Sequence, residues 1–162
     1  MRAKNLLGRR TAVVALLVVV VGIGLTGCLP DTGTPPPDPM TNQLFTALNR
    51  DRASAGLPPL TWSPKFANNA TSWAATMSAD NSLHHQNLSS VLYSADYSTY
   101  RTLGENILVG PGGMSADSME AAWRASPPHW ANISSQNFNV VGIGYFRGAD
   151  GRIWAAQEFG GI

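Results

Sequence analysis

Apolar residues recur at helical spacing in three stretches of the chain, each with start or stop signals. The first begins at Thr41 and ends before Gly56, and its apolar positions are Leu44, Phe45 and Leu48. The second begins after Ser63-Pro64, which supply an N cap and a first-turn proline, and its apolar positions are Ala67, Ala70, Trp73, Ala74 and Met77. Both patterns predict amphipathic helices.

The third helical stretch begins after Ser115 and carries Met119, Ala122 and Trp123. Proline cannot continue a helix, so this one is predicted to stop at Pro127-Pro128. A histidine, His129, follows directly at that break.

Three other stretches favour β-strands. Residues 103–110 form a short apolar run with one embedded carboxylate, and residues 139–148 and 152–160 are rich in β-forming residues. The turn sequence GADG joins the last two runs, which predicts a hairpin. Gly142 and Gly144 alternate, so one face of that strand allows another element to approach closely.

The order of these elements predicts the fold class. Helices come first, the strands come late and are antiparallel, and no strand-helix-strand alternation appears, which indicates a layered α+β domain. Residues 82–102, rich in Ser, Asn and Tyr, are expected to be irregular with a short helix.

The first 27 residues predict an export signal. Four basic residues fall within the first ten positions, and an uncharged apolar run follows that is shorter than a comfortable bilayer span. The run ends in Leu-Thr-Gly before Cys28, which resembles the site where bacterial lipoproteins are cleaved and acylated. We therefore expect lipidation at Cys28 and anchoring to the outer face of the cell membrane; a plain signal anchor with an incidental cysteine is the alternative.

Residues 28–40 carry five prolines and little that could pack, which predicts an extended tether. Residues 41–162 would form the folded head. Without residues 1–27, seven basic and ten acidic side chains remain, so a nucleic-acid-binding surface is not expected. The single cysteine excludes internal disulfides, a thiolate metal cluster and a Cys-His protease.

Few residues can carry chemistry. The histidines are His84, His85 and His129, and the Trp-flanked double proline before His129 would fix the direction of its ring. Glu105 lies inside an apolar strand, where a carboxylate costs several kcal/mol unless it is paired or faces a cleft. It either accepts backbone hydrogen bonds in a loop or faces a functional cavity.

Five segments occur in the same order and at similar spacing as in the CAP superfamily, also called SCP domains: LFTALNRDRASAGLPPLTW, LHHQNL, LGENI, AAWRASPPHWANI and FNVVGIGYF. The chain resembles this superfamily, which includes cysteine-rich secretory proteins, antigen 5 and plant pathogenesis-related proteins, over residues 43–159, and is most similar to its bacterial secreted branch. The resemblance implies a three-layer α-β-α sandwich with a short antiparallel sheet.

The resemblance also implies a central cleft with two histidines and two glutamates, which in some members holds a divalent metal. The matching motifs select His85, with His84 as its neighbour, then Glu105 and His129. The second glutamate of the animal and plant branch corresponds to Ser126 here. Glu120, one helical turn before Trp123, is only a candidate substitute, so we expect a triad.

Two imidazoles can ligate zinc or another divalent cation, with Glu105 ligating or orienting a bound water. Two protein nitrogens are fewer than zinc sites usually provide, so weak, pH-dependent binding is expected. The primary hypothesis is therefore an exported lipoprotein whose cleft binds an unknown extracellular ligand, with or without metal.

Two alternatives remain open. A peptidase-like hydrolase at the cell envelope would use Glu105 or His129 as general base for water or for Ser126 or Ser134, although no established hydrolase motif is present. A lipid- or sterol-binding or adhesion module would need an apolar groove, for which the candidate rings are Trp130, Phe138, Tyr145 and Trp154. The sequence does not decide whether the protein is an enzyme.

Overall fold

The computed structural model describes residue 36 and residues 38–162. The predicted export signal, Cys28 and most of the predicted tether lie outside the described residues. Within the described part of the chain, no helix has both the length and the apolar character needed to cross a bilayer.

Helices and strands are interspersed along this part of the chain. The helices are α1 (Pro39–Ser54), α2 (Pro64–Ala79), α3 (Leu88–Leu92), α4 (Ala116–Ala125) and α5 (Pro127–Ile133). The strands are β1 (Thr61–Trp62), β2 (Thr102–Pro111), β3 (Val140–Arg147) and β4 (Arg152–Gly161). A single 3₁₀ turn, Ala95–Tyr97, follows α3 in the segment that was expected to be irregular.

Helix α1 begins earlier than the sequence pattern predicted. Asp38 is its N cap and accepts hydrogen bonds from the backbone nitrogens of Met40 at 3.0 Å and Thr41 at 3.1 Å, with Pro39 in the first turn. The predicted tether, which was drawn to residue 40, therefore ends before Pro39. At the other end Gly56 takes the positive φ of 73° that follows many helices, as expected.

The double proline does more than end a helix. Helix α4 stops at Ala125, as predicted, but Pro127 then lies in the first turn of α5, where the missing N–H costs nothing. His129 is therefore a helical residue of α5 and not part of an irregular break.

The four described strands form one sheet in the order β1-β3-β4-β2. Strand β4 pairs antiparallel with β2 and with β3, which confirms the predicted hairpin. The two-residue strand β1 was not predicted, and it pairs parallel with β3, so the sheet is not wholly antiparallel. Strand β2 forms one edge.

Helices cover both faces of this sheet. On one face α2 packs against β3 and β4, with a core that includes Ala70, Ala74 and Met77 from the helix and Ile107, Trp154 and Ala156 from the strands. On the other face, here called the helical face, lie α1, α4 and α5, and the core there includes Leu44, Leu48, Met119, Trp123, Ile133, Ile143, Ile153 and Phe159. The domain is the expected three-layer α-β-α sandwich.

Candidate functional site

Two glutamates face each other across neighbouring strands. Glu105 on β2 is the register partner of Glu158 on β4, so both side chains project from the same face of the sheet, the one that α2 covers. Glu105 is 3% exposed and Glu158 is 2% exposed. Two acids buried this close together need hydrogen-bond donors, which the chain before α3 supplies.

His85 is one of these donors. Its Nδ1 lies 2.5 Å from Oε1 of Glu105, and the imidazole is 58% exposed while the carboxylate is fully buried. The buried carboxylate of Glu105 therefore fixes the orientation of the exposed imidazole. Among the described residues, no hydrogen-bond partner contacts the other ring nitrogen, Nε2, which can therefore meet a ligand.

Gln86 holds the two acids together. Its backbone nitrogen donates to Oε1 of Glu105 at 3.2 Å, and its Nε2 donates to Oε2 of Glu105 at 3.0 Å and also to Oε1 of Glu158. Both oxygens of Glu105 are therefore occupied by protein groups, so this carboxylate supports His85 rather than facing an open position.

Glu158 was missed in the sequence, although its signal matched that of Glu105. It lies in the apolar strand sequence IWAAQEF, where a carboxylate is costly unless it is paired. Burial first, and then the adjacent Glu105, raise the pKa of Glu158 well above its usual range. Gln86 gave no comparable sequence signal, because a glutamine in an irregular polar segment is ordinary.

His129 lies near the histidine–glutamate pair. Its ring is half-buried, and burial, followed by the nearby charge of His85, lowers its pKa. The imidazole is accordingly neutral at pH 7, the form that binds metals and accepts protons. Among the described residues its Nδ1 has no hydrogen-bond partner.

A network of amides on the helical face links β2, β4 and α5 beside this site. Asn106 Nδ2 donates to the backbone oxygen of His129 at 3.1 Å and to Oε1 of Gln157 at 2.9 Å. Asn132 Nδ2 donates to the backbone oxygen of Glu105 at 3.1 Å and to Oδ1 of Asn106 at 2.9 Å. These bonds fix the backbone on which the functional side chains are mounted.

Glu120 does not join the cleft. It lies on the helical face, where its Oε2 accepts from Nε2 of Gln157 at 2.7 Å. Glu105 precedes Asn106 on β2 and projects from the opposite face, because successive side chains of a strand alternate. The structure therefore does not bring the carboxylate of Glu120 to that of Glu105.

His84 is also separate from the pair. Its ring packs edge-on against Trp73, with centroids 5.1 Å apart, and its Nδ1 lies 3.1 Å from the backbone oxygen of Ser82. Its backbone oxygen accepts from Nε1 of Trp73 at 3.0 Å. These contacts place the ring of His84 against Trp73 of α2.

The candidate nucleophiles and groove residues are not gathered around the pair. Ser134 Oγ donates to the backbone oxygen of Trp130 at 2.7 Å, and within the described residues neither Ser126 nor Ser134 hydrogen-bonds a histidine. Of the four aromatic candidates, Phe138 and Trp154 are buried core residues. Trp130 and Tyr145 are half-buried with different neighbours: Trp130 lines a hollow beside Asp51, and Tyr145 donates to Asp38.

The donor set limits what metal the cleft could hold. In the described part of the chain, no group of three or more His, Cys, Asp and Glu side chains is arranged to hold a metal ion. The available ligands are Nε2 of His85 and the neutral imidazole of His129, with Glu105 orienting His85 from behind. Two imidazoles are fewer protein ligands than a closed zinc site provides, so any cation held by them would need water to complete its coordination.

Comparison with known proteins gives consistent matches. The cysteine-rich secretory protein (CAP) family profile matches residues 45–159. The uncharacterized protein YkwD of Bacillus subtilis is 30% identical over 119 residues, which are 69% of this chain and 44% of that protein. The chain thus spans less than half the length of this relative.

Solved structures share the fold. An outer surface protein of Borrelia burgdorferi aligns with a TM-score of 0.65 and 16% identity, covering 73% of this chain and 89% of the other. An extracellular protein of Bacillus anthracis that contains an SCP domain aligns with a TM-score of 0.61 and 23% identity, covering 80% of this chain and 45% of the other.

Proposed function

This chain belongs to the cysteine-rich secretory protein (CAP) family, and on that premise we propose that it is an extracytoplasmic binding domain whose cleft is built on His85, Glu105 and His129. The observation that carries the proposal is the exposed imidazole of His85 seated on the fully buried carboxylate of Glu105. Burying a carboxylate to support a surface histidine costs stability, and a purely structural role does not require it.

The ligand of this cleft is proposed to be a polar extracellular molecule. His85 Nε2 and the neutral His129 ring offer imidazole nitrogens, which suit a ligand with hydrogen-bonding groups or a hydrated divalent cation. Where such a cation binds, the two imidazoles would hold it, and it would supply a Lewis-acid position for an oxygen of the ligand. The occurrence of the SCP domain in an extracellular protein of Bacillus anthracis supports the location.

Zinc titration tests the cleft. We expect zinc to bind the wild-type protein with modest affinity that weakens as the pH falls, since protonated imidazoles cannot ligate. The His85→Ala, His129→Ala double variant should lose the calorimetric signal, and His84→Ala is the matched control that should retain it. Equal heats from the wild type and the double variant would remove the metal from the proposal.

We also propose that the domain is tethered by lipid at Cys28 and held away from the membrane by the proline-rich residues that follow. The support is the sequence alone: a basic start, an apolar run, small residues before the cysteine and five prolines after it. A hydrolase or a lipid carrier receives no comparable support, because within the described residues neither candidate serine hydrogen-bonds a histidine and two of the four candidate rings are buried core residues.

A further inference from the structure

A second polar hollow lies on the helical face of the sheet, between α1 and α4. Its volume is about 280 Å³, and its lining residues are Arg50, Asp51, Asp117, Glu120, Ala121, Arg124 and Ala125. Because Glu120 contacts Gln157 on this face, the hollow is on the far side of the sheet from the Glu105 carboxylate.

The hollow has a buried acidic floor and an exposed rim of mixed charge. On the floor, Asp51 is 3% exposed and Glu120 is 1% exposed. The rim side chains of Arg50, Asp117 and Arg124 are each more than half exposed. A molecule that enters the hollow would therefore meet charged groups both at the rim and on the floor.

Within the described residues, each acid of the floor has a single hydrogen-bond donor. Glu120 Oε2 accepts from Gln157, but within the described residues Glu120 Oε1 has no hydrogen-bond partner. Asp51 Oδ1 has one cationic partner, Nη1 of Arg124 at 3.3 Å. Two buried carboxyl groups therefore share one guanidinium contact, and a buried acceptor without a donor costs about 1–3 kcal/mol.

The charges that line the hollow favour a cationic ligand over an anionic one. Arg50 already faces Asp117 at 3.6 Å, and Arg124 faces Asp51, so neither guanidinium is unopposed. An anion entering the hollow would meet three acidic side chains. A metal ion is also disfavoured, since among the described residues these acids do not form a metal-holding group.

We propose that this hollow binds the primary ammonium group of a small organic molecule, with Glu120 Oε1 and the Asp51 carboxylate as its acceptors. An ammonium carries three N–H donors around one charge, so it can satisfy both acids at once. The ammonium group is compact enough to reach the floor of the hollow. The rest of the ligand would extend outward between the rim residues.

The electrostatics of Glu120 support this assignment. Burial, and next the charge of Asp51, raise the pKa of Glu120 to about 8, while Gln157 and Arg50 act in the opposite direction. An ammonium pairs with the ionised acid, so binding at pH 7 has to release a proton. Affinity should therefore rise about tenfold per pH unit up to pH 8 and then level off.

Isothermal titration calorimetry of the full chain with n-butylammonium chloride at pH 6, 7 and 8 tests the site. We expect binding that strengthens with pH in this range, with heats that depend on the ionisation enthalpy of the buffer. Tetramethylammonium, which has the charge but no N–H donor, and butyrate, which has the opposite charge, should not bind.

Glu120→Gln keeps the size and the contact to Gln157 but removes the charge, and it should weaken butylammonium binding at pH 8 at least tenfold and abolish the pH dependence. Asp96→Asn, an exposed acid outside the hollow, is the matched control and should change affinity less than threefold. The His85→Ala, His129→Ala variant should bind butylammonium normally, which separates this site from the cleft.

Three results would overturn the proposal: no binding of butylammonium to the wild type, equal affinity in Glu120→Gln, or equal binding of tetramethylammonium. If Glu120→Gln does not fold, the pH dependence and the proton release of the wild type still decide. Affinity that does not change between pH 6 and pH 8 would exclude Glu120 as the acceptor.

Discussion

At the scale of single residues, the molecule is defined by polar side chains that it buries. Glu105, Asn106, Glu120, Gln157 and Glu158 are all at most 3% exposed. Each interrupts an otherwise apolar strand or helix face, and each is held by an amide or imidazole from another element. A buried polar group is tolerated only when its hydrogen-bond partners are in place, so the fold is most sensitive to substitution at these residues and their partners.

Two of these acids predict how stability depends on pH. The pKa of Glu120 is raised to about 8 and that of Glu158 is raised well above its usual range, both mainly by burial. In the unfolded chain both groups ionise near their ordinary value, so above about pH 4.5 the folded state binds more protons, and for Glu120 this continues up to about pH 8. The free energy of unfolding should then fall as pH rises, by about 1.4 kcal/mol per pH unit for each such group.

Urea unfolding at pH 5, 6.5 and 8 measures this slope. Glu120→Gln should flatten it, because the amide keeps the hydrogen bond from the chain interior without an ionisable group, whereas exposed Asp117→Asn should leave it unchanged. The same slope in Glu120→Gln and in the wild type would mean that Glu120 is already ionised in the folded protein at pH 5.

At the scale of elements, the packing of α2 on the sheet depends on missing side chains. A Cβ on Gly142 would lie 2.0 Å from the backbone nitrogen of Ala67, and one on Gly144 would lie 2.2 Å from that of Thr71. The alternating glycines were read correctly from the sequence as a site of close approach. Only the structure identifies α2 as the element that approaches.

Gly142→Ala should therefore destabilise the protein by about 3 kcal/mol or more, since the backbone of α2 has to move away from β3. Gly113→Ala is the matched control, because a Cβ there meets nothing within 4 Å, and its effect should stay within about 0.5 kcal/mol. Thermal and urea unfolding give both values. Similar stability for the two variants would show that α2 is not held as tightly as its contacts indicate.

At the scale of the whole molecule, the ends of distant elements are joined by Arg52, a fully buried residue of α1. Its Nη1 donates to the backbone oxygens of Ile133 and Ser135, each at 2.8 Å, and its Nε donates to that of Pro58 at 3.0 Å. One guanidinium thus ties α1 to the end of α5, the helix that carries His129. This tie holds one side of the cleft against the rest of the domain.

The proposed lipid anchor at Cys28 also concerns the whole molecule, because it would determine where in the cell the domain is located. In a bacterial host that processes lipoproteins, the wild type should incorporate an alkyne-labelled palmitate analogue, and Cys28→Ser should not. The chain has a single cysteine, so no other thiol can accept the label. Equal labelling of both proteins, or none of the wild type, would contradict lipidation at Cys28.

Much of the architecture was predictable from local signals. Capping residues, first-turn prolines and apolar periodicity located α1, α2 and α4 within a few residues, and the turn before β4 gave the hairpin. Helix α5 was missed because a double proline ends one helix and begins another by the same chemistry. Strand β1 was missed because two residues carry no periodicity.

The residues of the candidate site were likewise predicted only in part from the sequence. His85, Glu105 and His129 were chosen from motifs in the sequence, and the structure pairs His85 with Glu105 and puts His129 close to His85. Glu120 was chosen for its distance from Trp123 along α4, which cannot tell which face of the sheet it reaches. Glu158 escaped notice because its partner lies on another strand.

The sequence by itself determined most of the elements, the layered fold and several residues able to carry chemistry, because caps, prolines, periodicity and costly buried charges act within a few residues of chain. Only the tertiary structure decided which acid meets which base. Strand register put Glu158 beside Glu105, and strand alternation sent Glu120 to the opposite face. Contacts between positions distant along the chain depend on how whole layers pack, and no local pattern contains that information.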